Sequence, residues 1–497
     1  MPLTTRTALV KPRLQVGPLQ TQTRRSISIQ ALNEQRNGRE RVVILGSGWA
    51  GYNLSRSLKS SKYQTVVVSP RSYFAFTPLL ASTSVGTLEF RTALEPIRSR
   101  NRATKLFQGW ADDVDFENKR ISVEEAVENS EPGASLKDDP VDTTEVCNRS
   151  QGMGRGQAFD MAYDKLIIAV GCYNQTFNTK GVKENAYFLK DVGDARRIRN
   201  RILACFERAA LPTTSETTKK QLLNFAVVGG GPTGIEWSAE LHDLIHDDLR
   251  KLYPELAPLA KITVYDVADH VLGMFDSKLS EYAIKTFARQ GISIQTSHHV
   301  VELRPGSPDN NVRSSEDDTS GVYTLETKED GKMGVGMCVW STGLMMNPFI
   351  ATALCDRVKR HERSGGLVTN EHLQVKAADG SVIPGVYAIG DCATLEGTSY
   401  PKTGQVANQL ATLLGKHLNK GDVETAGFKY RDLGIMAYIG NWNAVVDSKG
   451  GRYSGRMAWF IWRTVYLAKS VSWRNRILIP TYWSVSRSVA IRSVRIS

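Results

Sequence analysis

The chain has 497 residues, 41% hydrophobic and 23% charged, a length and balance that exclude both a single small domain and disorder throughout. Its formal charge of +12 sits at the ends: residues 1–33 carry five basic residues and no acid, and residues 448–497 carry ten and no acid. The body between them is close to neutral, which argues against a nucleic-acid-binding core, and no uncharged apolar run approaches the roughly 18–20 residues of a spanning helix, which excludes a multi-span pump.

Residues 1–35 are rich in Arg, Ser and Thr and lack the apolar core of a secretory signal, so they read as a mitochondrial transit peptide, with Arg24-Arg25-Ser26 as the processing neighbourhood. The fold is expected to begin near residue 40. Arg41–Leu45 is a short apolar run that reads as a buried strand, followed by Gly46-Ser-Gly48-Trp-Ala-Gly51 and a helical Tyr52–Leu58. Glycines at that spacing permit a tight turn, close approach of a pyrophosphate and close helix packing, and the helix start offers free N–H groups. A second strand, Thr65–Val68, ends at Ser69, Pro70 and Arg71, where an acid usually grips a ribose; a hydroxyl can serve instead.

Residues 125–157 form a polar insertion, read as a solvated loop without chemistry, and Leu166–Val170 reads as a crossover strand. The pattern then recurs. Leu223–Val228 feeds Gly229-Gly-Gly231-Pro-Thr-Gly234, and the helix that follows carries Glu236 and Glu240 four apart on one face, with a helical continuation over Leu241–Leu259. The strand Ile262–Tyr265 ends in Asp266, an acid placed to bind both hydroxyls of a ribose and to repel a 2′-phosphate, so this second site is expected to take NADH over NADPH. Val339–Ser341 with Thr342-Gly343 is a further crossover, and Val386–Gly390 closes on Asp391, an acceptor for the polyol of a flavin. Two dinucleotide folds in one chain predict two dinucleotides, one reducing the other.

The last tenth differs. Met457–Ala468 is apolar but interrupted by Arg463, and Leu478, Tyr482, Val485 and Val489 fall on one helix face. Trp459, Trp462, Trp473 and Trp483 with flanking Arg and Lys suit the headgroup boundary of an anionic bilayer. Six scattered cysteines provide neither a C-x-x-C pair nor zinc spacing, so inert thiols and no metal site are expected.

Taken together, these motifs resemble the two-dinucleotide-fold flavoproteins, and specifically the type II, rotenone-insensitive NADH:ubiquinone oxidoreductases of fungal mitochondria. The resemblance covers residues 40–497 outside the polar insertion and is most specific at Ser69–Leu80, at Gly229–Gly234 with Glu236, and at Phe428–Gly434. It implies an α/β fold of glutathione-reductase type with two Rossmann-like domains and a C-terminal amphipathic helical membrane anchor. The implied organisation is an FAD-binding first part over 40–190, an NADH-binding domain over 191–345, an FAD-binding second part over 346–420, and a membrane-binding and dimerising region over 421–497.

FAD would lie along Gly46, Gly48, Gly51, Ser69, Arg71, Thr77, Pro78, Gly390 and Asp391, and NADH along Gly229, Gly231, Gly234, Asp266 and Gly343. Glu236 matches a family glutamate near nicotinamide and flavin, with a positioning or proton-relay role. Gln405 and Gln409 match the family's quinone-region amides and would donate to a quinone carbonyl. Asn408 replaces a histidine and cannot deliver a proton, and Leu410 replaces an acid. The implied reaction is hydride transfer from NADH to FAD and then two electrons to ubiquinone, without proton pumping, by a homodimer lying peripherally on anionic lipids of the inner mitochondrial membrane. The matrix side is expected because no spanning segment follows the transit peptide. Rival architectures are disfavoured: a disulfide reductase needs a redox cysteine pair, which the sequence lacks, and a sulfide:quinone oxidoreductase needs flavin-side cysteines, for which Cys172 and Cys392 are the only candidates. An apoptosis-inducing-factor-like protein would bind nucleic acid through its tail, and no nucleic-acid partner is expected here.

Overall fold

The computed structural model describes residues 28–98, 103–126, 156–308, 320–425, 427–470 and 472–488. The transit-peptide reading of residues 1–27, the centre of the polar insertion and Val489 therefore lie outside the described residues. The chain divides into two units, Met1–Arg39 and Glu40–Ser497. In the first, a short helix, Ile29–Glu34, starts on Ser28, whose hydroxyl accepts the Ala31 N–H at 3.0 Å.

In the second unit, β1 (Glu40–Leu45) runs into α1 (Trp49–Ser57), followed by β2 (Tyr63–Ser69), β3 (Lys105–Asp115), β4 (Arg120–Glu125), β5 (Ala158–Ala162) and β6 (Lys165–Ile168). The apolar run of β1 is buried, and β2 and β6 pair with its two edges in parallel, Val42 facing Thr65 on one side and Lys165 on the other. Arg41 is buried within it and is kept there by bonds to Gln64 Oε1 (2.8 Å) and the Ala162 carbonyl (3.1 Å).

The chain then leaves this sheet through α2 (Val192–Ala210) to build the second fold: β7 (Asn224–Val228), α3 (Pro232–Leu244), β8 (Lys261–Tyr265), α4 (Ser277–Gln290), β9 (Ile292–Gln295) and β10 (Met337–Trp340). The sheet order is β9-β8-β7-β10, all parallel, with an antiparallel three-stranded sheet formed by residues 300–305, 323–327 and 331–335 inserted before β10. The helix expected over Leu241–Leu259 is broken. One π-type turn spans Ile245–Leu249, and Pro254 forces Tyr253 out of the helical region to φ −129°.

Four strands return to the first sheet: β11 (Leu367–Thr369), β12 (Gln374–Lys376), β13 (Val382–Ala388) and β14 (Ala393–Leu395), giving ten in the order β14-β11-β12-β13-β6-β1-β2-β3-β4-β5. Helix α5 (Gly404–Lys420) then packs across α1 so closely that a Cβ on Gly415 would lie 2.1 Å from Ser57 Oγ. The C-terminal layer is an antiparallel sheet of β15 (Ile435–Tyr438), β16 (Ala444–Ser448) and β17 (Gly451–Ser454), followed by α6 (Gly455–Lys469) and α7 (Trp473–Ser488). No described helix is long and apolar enough to cross a membrane. The expected fold class stands: two dinucleotide folds with added C-terminal helices.

Candidate functional site

The first glycine loop joins β1 to α1. Gly46 sits at φ +108°, and a Cβ there would lie 2.3 Å from the Ala169 carbonyl oxygen; one on Gly51 would lie 2.1 Å from the Gly46 carbonyl oxygen. These two glycines are demanded by packing. Gly48, which caps α1, has nothing within 4 Å of its Cβ position, so the space above the helix start is open. The hydroxyls of Ser47 and Ser69 lie 2.9 Å apart at the end of β2. The Arg71 guanidinium is held by Asp191 at 2.6 Å, and Asp191 also accepts the Tyr73 hydroxyl at 3.1 Å. Trp49 donates its indole N–H to Thr77 Oγ1 at 3.0 Å, and Pro78 follows in the same short turn.

Gly390 (φ +81°) closes against α1, its Cβ position 3.1 Å from the Ala50 methyl, and the neighbouring Asp391 carboxylate is half-buried. The nine sequence-predicted residues of this set are thus gathered around one helix start. That start is open at Gly48, is flanked by two hydroxyls and is closed by a carboxylate. The donor set fits a dinucleotide: N–H groups for a pyrophosphate and an acceptor for a polyol.

The second loop repeats the geometry. Gly229 lies at φ +113°, a Cβ on Gly234 would sit 2.0 Å from the Gly229 carbonyl oxygen, and Gly231 again faces open space. The Asp266 carboxylate accepts the N–H groups of Gly230 and, at 2.8 Å, of Ala268, so it is stapled to the loop it is expected to serve. Gly343 (φ +74°) lies under the ring of Phe177, 2.8 Å from its own Cβ position.

On α3, Glu240 accepts from Ser82 Oγ (2.6 Å) and Thr87 Oγ1 (2.8 Å). Glu236, one turn earlier, accepts from the Tyr438 N–H and the Trp462 indole N–H, each at 3.1 Å. Burial pushes the Glu236 carboxyl up to about 7; the two donors pull it down and the charge of Glu240 adds to the rise. A cavity of about 520 Å³ opens beside these groups, lined among others by Glu240, Asp243, Tyr438, Trp462 and Arg463.

Gln405 and Gln409 share one face of α5, as their spacing predicts, and that face meets residues 430–434. Gln405 Nε2 donates to the Gly434 carbonyl (3.2 Å), and its Oε1 accepts the Tyr430 hydroxyl and the Leu433 N–H. Gln409 exchanges two bonds with the Arg431 backbone, at 2.8 and 2.9 Å. Asn408 is exposed on the neighbouring face and Leu410 is buried. Cys172 donates to Asp391 at 3.3 Å and lies 3.1 Å from Lys190 Nζ, while burial pushes the Cys392 thiol up to about 11, so neither is an activated thiolate.

Sequence reasoning missed Ser47, Asp191, Tyr438 and the Trp462 contact. Asp191 was visible only as a helix N-cap three residues before Asp194, a pattern that reads as capping.

Residues 40–411 match the family model described as pyridine nucleotide-disulphide oxidoreductase, and residues 433–489 match the NDH2 C-terminal domain. The chain is 34% identical to a probable NADH dehydrogenase of Dictyostelium discoideum, covering 93% of each chain. It is also 34% identical to external NADH-ubiquinone oxidoreductase 2, mitochondrial, of Saccharomyces cerevisiae, covering 90% of this chain and 80% of that one. Among solved structures, NDH2 of Plasmodium falciparum in complex with NADH shares its fold at a TM-score of 0.76 and 24% identity, covering 91% of this chain and 99% of that chain.

Proposed function

The chain belongs to the pyridine nucleotide-disulphide oxidoreductase family and, within it, to the type II NADH dehydrogenases, and from that premise we propose that it is a non-proton-pumping NADH:ubiquinone oxidoreductase of mitochondria. FAD, when bound, would supply the hydride and electron chemistry that links NADH to ubiquinone. The observation that carries this reading is the pair of open glycine loops within one unit, with Glu236 rising from the second loop's helix.

The chain's own residues bind and orient. The start of α1, Ser69, Arg71, Thr77 and Asp391 would hold the flavin nucleotide; the start of α3, Asp266 and Gly343 would hold NADH. Glu236, titrating near neutrality, can hold or release a proton at the pH of the compartment. Gln405 and Gln409 each have a second amide N–H beyond the one given to residues 430–434, and these N–H groups are available to a quinone carbonyl. The outward position of Asn408 supports no part for it at that carbonyl.

The test uses protein in mild detergent without oxygen. Stoichiometric NADH bleaches the flavin absorbance, and a short-chain ubiquinone restores it within the turnover time. Bleaching without recovery sinks the quinone assignment and leaves the NADH–flavin half intact.

Attachment to anionic inner-membrane lipids is part of the same proposal. Helices α6 and α7 bury Trp459, Trp462 and Ile479 while leaving Met457, Phe460, Trp473 and Ile477 63–77% exposed, among basic residues. Burying each large apolar side chain in the interface is worth about 1.5–3 kcal/mol. A Phe460→Asp, Ile477→Asp double variant is therefore expected to lose at least ~10-fold in partition to vesicles containing anionic phospholipid, read by flotation. Unchanged flotation rejects this face as the docking surface. Light scattering in detergent tests the homodimer. The matrix face is expected because no spanning segment follows residues 1–35, while the yeast relative, an external enzyme by name, supports the outer face; resistance to protease until the inner membrane is opened is the result expected of a matrix enzyme.

A further inference from the structure

Glu236 accepts two hydrogen bonds on one oxygen, Oε1, and both donors come from the C-terminal layer, 202 and 226 residues away: the Tyr438 N–H on β15 and the Trp462 Nε1–H on α6. Trp462 is 4% exposed, and its ring is fixed edge-on to Tyr466 at 5.0 Å and tilted on Tyr438 at 5.7 Å. An indole N–H can only donate, and a buried donor left unpaired is costly, so the ring's packing and its bond to Glu236 specify one orientation. Tyr438 is fixed independently, its hydroxyl donating to Asp243.

We propose that Trp462 is a positioning residue of the reaction: its indole N–H, together with the backbone N–H of Tyr438, fixes the Glu236 carboxyl beside the second glycine loop, so that the C-terminal layer completes the reaction site as well as anchoring the protein. This inference rests on the reading of Glu236 as the carboxyl that works beside nicotinamide and flavin.

The groups facing Glu236 make the consequence calculable in sign. Helix α3 itself brings Glu240, β15 brings the Tyr438 N–H, and α6 brings Trp462 and Tyr466, whose phenol feels the charge of Glu236. Arg463 lies over the rings of Trp459 (4.0 Å) and Trp483 (4.2 Å). Burial and Glu240 both hold the Glu236 carboxyl high, so the two donors are what restrain it. Losing one donor destabilises the carboxylate and raises the titration further.

The experiment uses the full-length, FAD-loaded protein. Trp462→Phe keeps an aromatic ring and removes the donor. The limb of the pH–rate profile that Glu236→Gln abolishes is expected to move up by about one pH unit, a tenfold change in ionisation constant, with kcat changing more than KM for NADH. Infrared titration of the carboxyl band absent from Glu236→Gln is expected to move with it. Benzothienylalanine at position 462 preserves the ring shape and puts sulfur in place of N–H; it gives the same shift if the Phe variant folds poorly. A midpoint unmoved in either variant overturns the proposal and leaves the role of Glu236 standing. A profile untouched by Glu236→Gln overturns that role and this inference with it.

Discussion

Gly51→Ala is expected to yield protein that purifies with less than about a tenth of its flavin, with activity lost in proportion. The added Cβ would lie 2.1 Å from the Gly46 carbonyl oxygen and 3.2 Å from Ile44 Cγ2. Gly46 cannot retreat, because its own Cβ direction is closed by the Ala169 carbonyl at 2.3 Å. The helix must therefore move, carrying its first N–H groups off the line they hold above Gly48, at an overpacking cost of about 1–3 kcal/mol or more. Gly48→Ala provides the contrast. Nothing stands within 4 Å of that Cβ position, so its thermal midpoint is expected to match the parent's while its flavin content falls, since the methyl occupies the open space above the helix start. Flavin absorbance per polypeptide and a thermal melt separate the two. Full flavin content in Gly51→Ala would remove this loop as the flavin's pyrophosphate site.

That contrast also shows which parts of the protein are legible in one sequence. Short-range physics is legible: apolar runs gave β1 and β7, glycine spacing gave the two turns, and the four-residue interval put Gln405 and Gln409 on one face. Helix length past Leu252 was misjudged because the apolar pattern continues through Pro254 while the backbone cannot. What a side chain meets across the fold left no trace in local pattern. Arg71 finds Asp191, Cys172 finds Asp391 219 residues on, and the amides of α5 find residues 430–434. Glu236 is the sharpest case. Its place on α3 follows from spacing, but its hydrogen-bond partners depend on how a layer more than two hundred residues later folds back.

Asp266 carries two roles that one pair of variants can separate. Its carboxylate staples the loop through the N–H groups of Gly230 and Ala268, and the proposed function makes it the acid that receives the ribose hydroxyls of NADH. Gly230 and Ala268 bond to different oxygens of the carboxylate, so Asp266→Asn keeps the side-chain shape and one of the two acceptors while removing the charge and half of the staple. Hydrogen bonds to a charged group are worth about 1.5–3 kcal/mol, so kcat/KM for NADH is expected to fall roughly 10–100-fold, mostly through KM because the contact is remote from the reacting carbon. The charge that repels a 2′-phosphate is lost as well, so the rate with NADPH is expected to hold or rise and the preference to collapse. Asp266→Ala removes both bonds of the staple, and the loop they hold should then loosen further, lowering kcat/KM for both nucleotides together. Steady-state rates of both variants with both nucleotides give four numbers that discriminate. If Asp266→Asn leaves NADH and NADPH rates unchanged while Asp266→Ala depresses both, the carboxylate is a staple only, and nucleotide choice must be set by groups other than this strand-end acid.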